Sequence, residues 1–249
     1  MTFKVSVVIP AYRCSQTLES SVCSALSQTV SAIEVIVVND SPDRESQAIL
    51  KRIARKEPRL TVIALKKNVG VAEARNRGVR EAKADWIAFL DSDDLWEPDK
   101  LEKQLAAAEK TGAQLVYTAA ACIDKTGKKT GKIFAVPETV TANGILSGSD
   151  IVTSTVLVKR DVYLAHPMER SDLHEDLISW YRILKSGAKA AGINETLVRY
   201  RISGGSKSGN KLRSARMTWR SYRYLGIGFF RRAASFIGYC VHGVKRYWL

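Results

Sequence analysis

No Cys-x-x-Cys pair occurs in the chain; Cys14, Cys23, Cys122 and Cys240 stand far apart. That spacing offers neither a zinc site nor a thioredoxin-like redox pair, and scattered cysteines fit a reducing compartment. No Gly-x-Gly-x-x-Gly follows the first apolar run, Val5–Ile9, where the turn reads Pro10-Ala-Tyr-Arg-Cys. A dinucleotide-binding dehydrogenase needs glycines there so that a pyrophosphate can approach the backbone. The Gly-x-x-x-x-Gly-Lys-Ser/Thr loop of P-loop NTPases is absent too. The opening Met1-Thr-Phe-Lys-Val-Ser-Val-Val-Ile-Pro has too short an apolar run, and no cleavage pattern, to read as a signal peptide. In the C-terminal stretch the longest uncharged run, Ala233 to Val244, has twelve residues, well short of the roughly twenty that span a bilayer. Acids are missing from Arg199 to Leu249, a stretch with twelve Lys and Arg.

That last absence locates the charge. The chain carries +14 over 249 residues, yet residues 1–198 hold 27 basic against 25 acidic groups, a balance of +2. The excess belongs to the tail, where a basic surface suits nucleic acid or an anionic membrane. The near-neutral remainder argues against a broad nucleic-acid footprint. Length allows one or two domains, and 45% hydrophobic residues suffice for a sizeable core.

The chain is organised around Asp85-Trp-Ile-Ala-Phe-Leu-Asp91-Ser-Asp93-Asp94. An apolar run that reads as a buried strand ends in three carboxylates within four positions. Like charges so close repel, and no Lys or Arg lies between Asp85 and Pro98 to offset them. A divalent Mg or Mn ion would, since such sites use one or two carboxylates together with substrate phosphates. The competing reading is an acidic turn capping the next helix.

Around this stretch, apolar runs alternate with helical spacing. Strands are expected at Val5–Pro10, broken by the proline, and at Glu34–Asp40, Leu60–Leu65 and Trp86–Leu90, with helices at Gln16–Gln28, Asp43–Lys56 and Val71–Lys83. Continuous apolar strands between amphipathic helices imply a parallel sheet covered on both faces, an α/β nucleotide-binding half over 1–98. Beyond it are expected a helix at Asp99–Lys110, a strand at Gln114–Cys122, a hairpin tip at Asp124–Gly131 and a loop at Asn143–Asp150. A strand at Ile151–Val158, a helix at Leu177–Ser186 stopped by Gly187, and a strand at Glu195–Arg201 follow. Residues 99–208 would form an acceptor half, and 209–249 a separate basic tail.

These pieces together resemble glycosyltransferase family 2, the inverting nucleotide-sugar transferases. The matching segments stand in family order: Val-Val-Ile-Pro10-Ala-Tyr12, Val-Val-Asn-Asp40, Asn68-Val-Gly70 through Arg75-Asn76-Arg-Gly78, Phe-Leu-Asp91-Ser-Asp93-Asp94, His-Glu175-Asp176, and Tyr200-Arg201 with Ser206 and Ser208. The resemblance covers about residues 4–208 and implies a GT-A (Rossmann-like) fold, a mostly parallel central sheet flanked by helices. It implies that Pro10, Ala11 and Tyr12 line the nucleoside pocket and that Asp40 accepts the uracil N–H, with helix capping as the alternative for Asp40. Asn68, Gly70 and Arg75 would serve the donor, Arg75 otherwise lying on a solvated helix face with Arg77 and Arg80. Asp91 would bind the ribose and water on the metal, Ser92 would also serve the donor, and Asp93 would ligate Mn²⁺ or Mg²⁺ on the diphosphate of a UDP-sugar. Asp176 resembles the general base, preferred over Glu175, at a helix start whose dipole favours the carboxylate. Relatives commonly read Tyr-Arg-x-His where this chain has Tyr200-Arg201-Ile-Ser203, which leaves Arg201 and Lys207 as cations for phosphate charge.

The tail interleaves its basic residues with aromatics, and Arg213, Arg216, Arg220 and Arg223 fall within about 80° at 3.6 residues per turn. Such a segment suits the surface of an anionic leaflet; a helical extension packed on the catalytic domain is the alternative. The resulting expectation is a membrane-associated enzyme on the cytoplasmic face, extending a lipid-linked bacterial glycan and binding no nucleic acid. A nucleotidyltransferase of similar fold, or a non-catalytic binding module driven by the tail, remain as competing readings.

Overall fold

The computed structural model describes residues 3–40, 43–148, 151–202 and 211–248, the last four as backbone. The first half follows the apolar pattern closely. Strands β1 (Val5–Ala11), β2 (Glu34–Asn39), β3 (Leu60–Ala64) and β4 (Trp86–Phe89) alternate with helices α1 (Ser15–Leu26), α2 (Arg44–Ala54) and α3 (Val71–Glu81). All pair in parallel, in the order β3-β2-β1-β4. Pro10 does not break β1. Val8 accepts the Leu90 N–H, and the last pair with β4 is Val8–Phe89. Alternate residues address the same neighbour, so Pro10 faces that side beyond the end of β4, where no ladder bond needs an N–H.

The second half mixes directions. Strand β5 (Leu95–Trp96) follows the acidic turn and precedes α4 (Lys100–Thr111), β6 (Leu115–Ile123) and β7 (Lys129–Phe134). Helix α5 (Ala142–Leu146), strand β8 (Leu157–Lys159), helices α6 (Arg160–Ala165) and α7 (Glu175–Lys185), strand β9 (Ala190–Arg201), and helices α8 (Lys211–Tyr224) and α9 (Phe229–Trp248) complete the described elements. The sheet continues β4-β8-β6-β9-β5, with β7 on β6. Only β6–β9 is parallel among these pairs.

Alternation along the central strands gives the sheet two apolar faces. Val7, Ile9, Val35, Val37, Ala88 and Leu90 join α1, α2 and α4 in one core; Val8, Ile36, Val38, Ile87 and Phe89 join α3, α6 and α7 in the other. Helix α3 lies so close to the sheet that a Cβ on Gly78 would stand 2.5 Å from Val8 Cγ1.

Three expectations change here. Of the strand expected at Ile151–Val158 only Leu157 and Val158 are strand, in β8; Thr153–Thr155 ahead of them form a 3₁₀ turn. Ser154 is the reason: its hydroxyl donates to Asp94 Oδ2 at 2.6 Å and accepts the Asp91 N–H, while its carbonyl takes the Trp96 indole N–H. The segment closes on the acidic turn instead of extending a ladder. In the stretch expected as a loop, Thr141 caps α5 by accepting the Gly144 N–H, while Asp150 is outside the described residues. The hairpin tip is Asp124–Lys128, where Asp124 Oδ1 accepts the Thr126 and Lys128 N–H groups, and β7 starts at Lys129.

The expected boundary at 208/209 lies outside the described residues, but α8 beyond it packs on the rest of the fold. Met217 and Tyr222 of α8 are buried, and Tyr222 belongs to the second core. Ser221 Oγ accepts the His174 N–H, and His174 Nε2 lies 3.2 Å from the Ser214 carbonyl, so α8 holds the start of α7.

Candidate active site

The strand ends, the acidic turn and the start of α7 open onto one cleft of about 1450 Å³. It is lined by Pro10, Ala11, Tyr12, Asp40, Asn68, Gly70, Arg75, Asp91, Ser92, Asp93, Asp176 and Arg201. The topology brings together every site residue expected from sequence except Lys207, which is outside the described residues. Parallel strands that end side by side place their following loops at one edge, where α/β proteins bind ligands.

Asp40 does not cap α2. Asp43 does that, accepting the Ser46 N–H at 2.7 Å. The buried Asp40 carboxylate instead accepts the Val69 N–H on one oxygen, and the Gly70 N–H and Asn68 Nδ2 on the other. It fixes the turn entering α3. Gly70 there has φ +87°, a region that favours glycine.

Arg75 is not on a solvated face. It is 4% exposed, whereas Arg77 and Arg80 form surface pairs on the same helix. Its guanidinium donates to Asp91 Oδ1 at 2.6 Å and to Glu175 Oε1 at 3.3 Å. Burial opposes the cation, but the charges of Asp91 and Glu175 outweigh it and hold Arg75 protonated. One arginine therefore ties the acidic turn to the start of α7.

This pairing sorts the carboxylates. Asp91 belongs to Arg75. Asp94 is fully buried, held by Ser154 and by the Arg201 N–H at 2.8 Å. Asp93 has no hydrogen-bond donor from another side chain among the described residues, and it faces the cleft. Burial, and next the charge of Asp91, raise its pKa to about 6. On α7, Glu175 is buried against Arg75, while Asp176 is half-buried in the first turn beside Thr153 Oγ1. The Arg201 guanidinium is committed to the main-chain oxygens of Asp93, Asp124 and Lys125, which clamps the acidic turn to the hairpin tip.

No group of three or more His, Cys, Asp or Glu side chains among the described residues is arranged to hold a metal. The residues still fit a divalent cation of one kind: Asp93 offers one carboxylate with no salt bridge among the described residues, and Mg²⁺ or Mn²⁺ completes such a site with phosphate oxygens and water.

Some lining residues escaped the sequence reading. Arg13 stands at φ +49°, unusual for a non-glycine residue, with its guanidinium 5.2 Å from the Tyr12 ring centre. Thr153, beside Asp176, was hidden in an expected strand. Ser214, Thr218 and Tyr239 bring the tail into the cleft wall.

A family model described as glycosyl transferase family 2 matches residues 6–156. The chain belongs to glycosyl transferase family 2. The family's transferase chemistry thereby prevails over the nucleotidyltransferase and binding-module readings. A Bacillus subtilis (strain 168) protein named as a teichuronic acid biosynthesis glycosyltransferase, TuaG, is 33% identical over 243 residues, 97% of this chain and 96% of that protein. The Escherichia coli UDP-Glc:α-D-GlcNAc-diphosphoundecaprenol β-1,3-glucosyltransferase WfaP is 33% identical over 245 residues, covering 98% and 95%. The likeness to TuaG and WfaP therefore extends into the tail, past the limit near residue 208 set by the motifs. The fold is also that of Staphylococcus aureus TarS residues 1–349, solved with UDP-GlcNAc: TM-score 0.71, 17% identity, covering 98% of this chain and 73% of that one. GT-A is thus the architecture of this family 2 enzyme.

Proposed function

We propose that this glycosyltransferase moves a sugar, with inversion, from a UDP-sugar to a hydroxyl of a lipid-linked glycan acceptor in bacterial surface polysaccharide synthesis. It works as a peripheral protein on the inner face of the cell membrane and needs Mn²⁺ or Mg²⁺. The observation that carries the reading is the sorting of acids: Arg75 pairs with one acid from each run, Asp94 is buried on Ser154 and the Arg201 N–H, and Asp93 and Asp176 line the cleft with no salt bridge among the described residues. The names of TuaG and WfaP support the glycan and lipid-linked assignments. The UDP-GlcNAc complex of TarS supports the donor class. The +2 balance of residues 1–198 supports a site that takes no nucleic acid.

In this reading Pro10, Ala11 and Tyr12 hold the nucleoside, and Asp40, through the Asn68–Gly70 turn, faces the base. One acceptor position on Asp40 Oδ1 remains for a ligand N–H. Asp91, fixed by Arg75, with Ser92, meets the ribose. Asp93 would hold the divalent ion, which when bound neutralises charge growing on the departing diphosphate; Lys207, and Arg201 through the Nη2 that its main-chain contacts leave over, would meet further phosphate charge. Asp176 takes the proton from the attacking hydroxyl, a step worth about 10²–10⁴-fold in rate. Glu175 cannot serve, because its charge is already committed to Arg75.

Release of UDP from candidate UDP-sugars with Mn²⁺ or Mg²⁺ present, followed by NMR of the product, tests the proposal. Metal-dependent release with an inverted anomeric centre is expected. Retained configuration, or full activity in EDTA, contradicts it.

A further inference from the structure

We infer that α9 seats the acceptor end of the cleft on an anionic bilayer, through an apolar stripe on its outer face. The inference rests on the lipid-linked acceptor proposed above and adds to it the contact surface and the orientation of the enzyme.

Helix α9 has two unlike sides. On the inner side, Phe236 packs edge-on to Trp219 of α8 at 5.3 Å and stacks on Tyr239 at 5.9 Å. The Tyr239 hydroxyl lies 3.1 Å from Ser214 Oγ. Close approach to the end of α5 holds the other flank: a Cβ on Gly238 would lie 2.9 Å from Ser147, and one on Gly148 would lie 2.5 Å from His242. Tyr239, His242 and Gly243 line the cleft.

The outer side packs against no other element among the described residues, although Val244, at its end, also borders the cleft. Phe230, Ile237, Val241 and Val244 are 87%, 65%, 52% and 57% exposed. With Ala234, also exposed, they fall within about 80° around the helix, a stripe about 21 Å long at ~1.5 Å per residue. No charged residue interrupts it. Apolar side chains this exposed and this aligned mark an interaction surface.

Charge and size choose the occupant. From Arg199 to Leu249 there is no acid and there are twelve basic residues, so two copies of this surface repel while an anionic leaflet attracts it. A stripe one side chain wide also falls far short of the ~800 Å² per partner that a stable pair buries. It suits a helix lying in the interface plane, whose apolar face sinks ~5–10 Å toward the acyl chains. No helix among the described residues is long and apolar enough to cross a membrane.

The arginines of α8 are a poorer seat. Arg220 pairs with Asp172 at 3.1 Å, and Glu169 lies alongside, bonded to Tyr224 and Arg182. Acids of the catalytic domain offset that face. The stripe of α9 instead backs directly onto the cleft wall, one helix diameter of ~10 Å away. An acceptor held in the leaflet by its lipid can then present its polar head to Asp176 without leaving the bilayer.

Sedimentation of the full chain with vesicles tests this, using 7:3 phosphatidylcholine:phosphatidylglycerol and phosphatidylcholine alone. Neither preparation contains a glycan carrier, so binding reads the bilayer itself. The parent should bind the anionic vesicles preferentially. Ile237→Asp/Val241→Asp should lose that binding by about tenfold or more, with circular dichroism and UDP affinity unchanged. Arg216→Glu/Arg220→Glu, on α8, should lose less. If the Asp pair disturbs folding, Ile237→Ser/Val241→Ser carries the same test. Vesicle binding by the stripe variants equal to that of the parent overturns the inference, as does a parent that ignores anionic vesicles. So does a parent dimer in light scattering that the stripe variants return to monomer, since a second copy is then the occupant. Failure of the parent to bind UDP would strike the proposed donor and leave the vesicle result readable.

Discussion

Asp91–Asp94 and Glu175–Asp176 are both runs of neighbouring carboxylates, and in both the neighbours have different partners. Arg75 lies between the runs and takes one acid from each, Asp91 at 2.6 Å and Glu175 at 3.3 Å. Asp94 is taken up by Ser154 and the Arg201 main chain. One carboxylate per run is left without a salt bridge among the described residues: Asp93, the proposed cation ligand, and Asp176, the proposed base, which accepts only the Thr153 hydroxyl and the Leu177 N–H. The lesson is that position in a motif does not assign a role. The partners set each acid's surroundings, and here a single buried arginine takes up two of the five.

Substitution at each of these residues tests the sorting. The largest effect is expected at Asp93. Asp93→Asn should abolish transfer while leaving far-ultraviolet circular dichroism unchanged, and EDTA should do the same to the parent, reversibly on adding Mn²⁺. Removing Arg75 attacks both runs at once. Arg75→Met leaves two buried carboxylates without their cation, and breaking a buried pair from one side costs about 3–5 kcal/mol. Urea unfolding should show it, and Arg75→Met/Glu175→Gln should recover part of the loss. Asp40→Asn is milder. The carboxylate accepts three N–H groups, and an amide cannot accept them all, a cost of about 1–3 kcal/mol.

The parallel half was legible because its signal is simple. Val, Ile and Leu runs buried on both faces make strands wherever they stand, and the loops after them follow. Ser154 shows why the second half was harder. Thr153-Ser154-Thr155 has ordinary strand propensity, and only the arrival of Asp94 and Trp96 from sixty residues away turns it into a 3₁₀ turn. The packing of α8 was hidden for a related reason. The buried side of α8 is Ser214, Met217, Thr218, Ser221 and Tyr222, at helical spacing. Three of these are small and polar, so a reading by hydropathy sees only arginines. Arg75 could not be told from Arg77 and Arg80 by spacing alone, since its acids come from other parts of the chain. The candidate carboxylates were legible as motifs; their partners were not.

The smallest effect concerns a buried cation that lacks the acids Arg75 has. Lys100 is fully buried, with Gln104 Oε1 at 2.6 Å and the Trp96 ring centre at 3.9 Å. Burial pulls its pKa well below the ordinary value. Between that depressed value and the unfolded value near ~10.4, the unfolded chain binds the extra proton, so this residue makes stability rise with pH. Lys100→Met should remove that slope and leave the protein as stable or more stable at pH 7, as judged by thermal midpoints from pH 6 to 9.

Transfer rate and UDP affinity, measured together for Asp176→Asn and Glu175→Gln, test the sorting of the acids most directly. Asp176→Asn should lose about 10²–10⁴-fold in rate with UDP affinity unchanged. Glu175→Gln should lose stability and keep transfer within about tenfold of the parent. A dead Glu175→Gln beside an Asp176→Asn that transfers at the parental rate would contradict the assignment and make Glu175 the base.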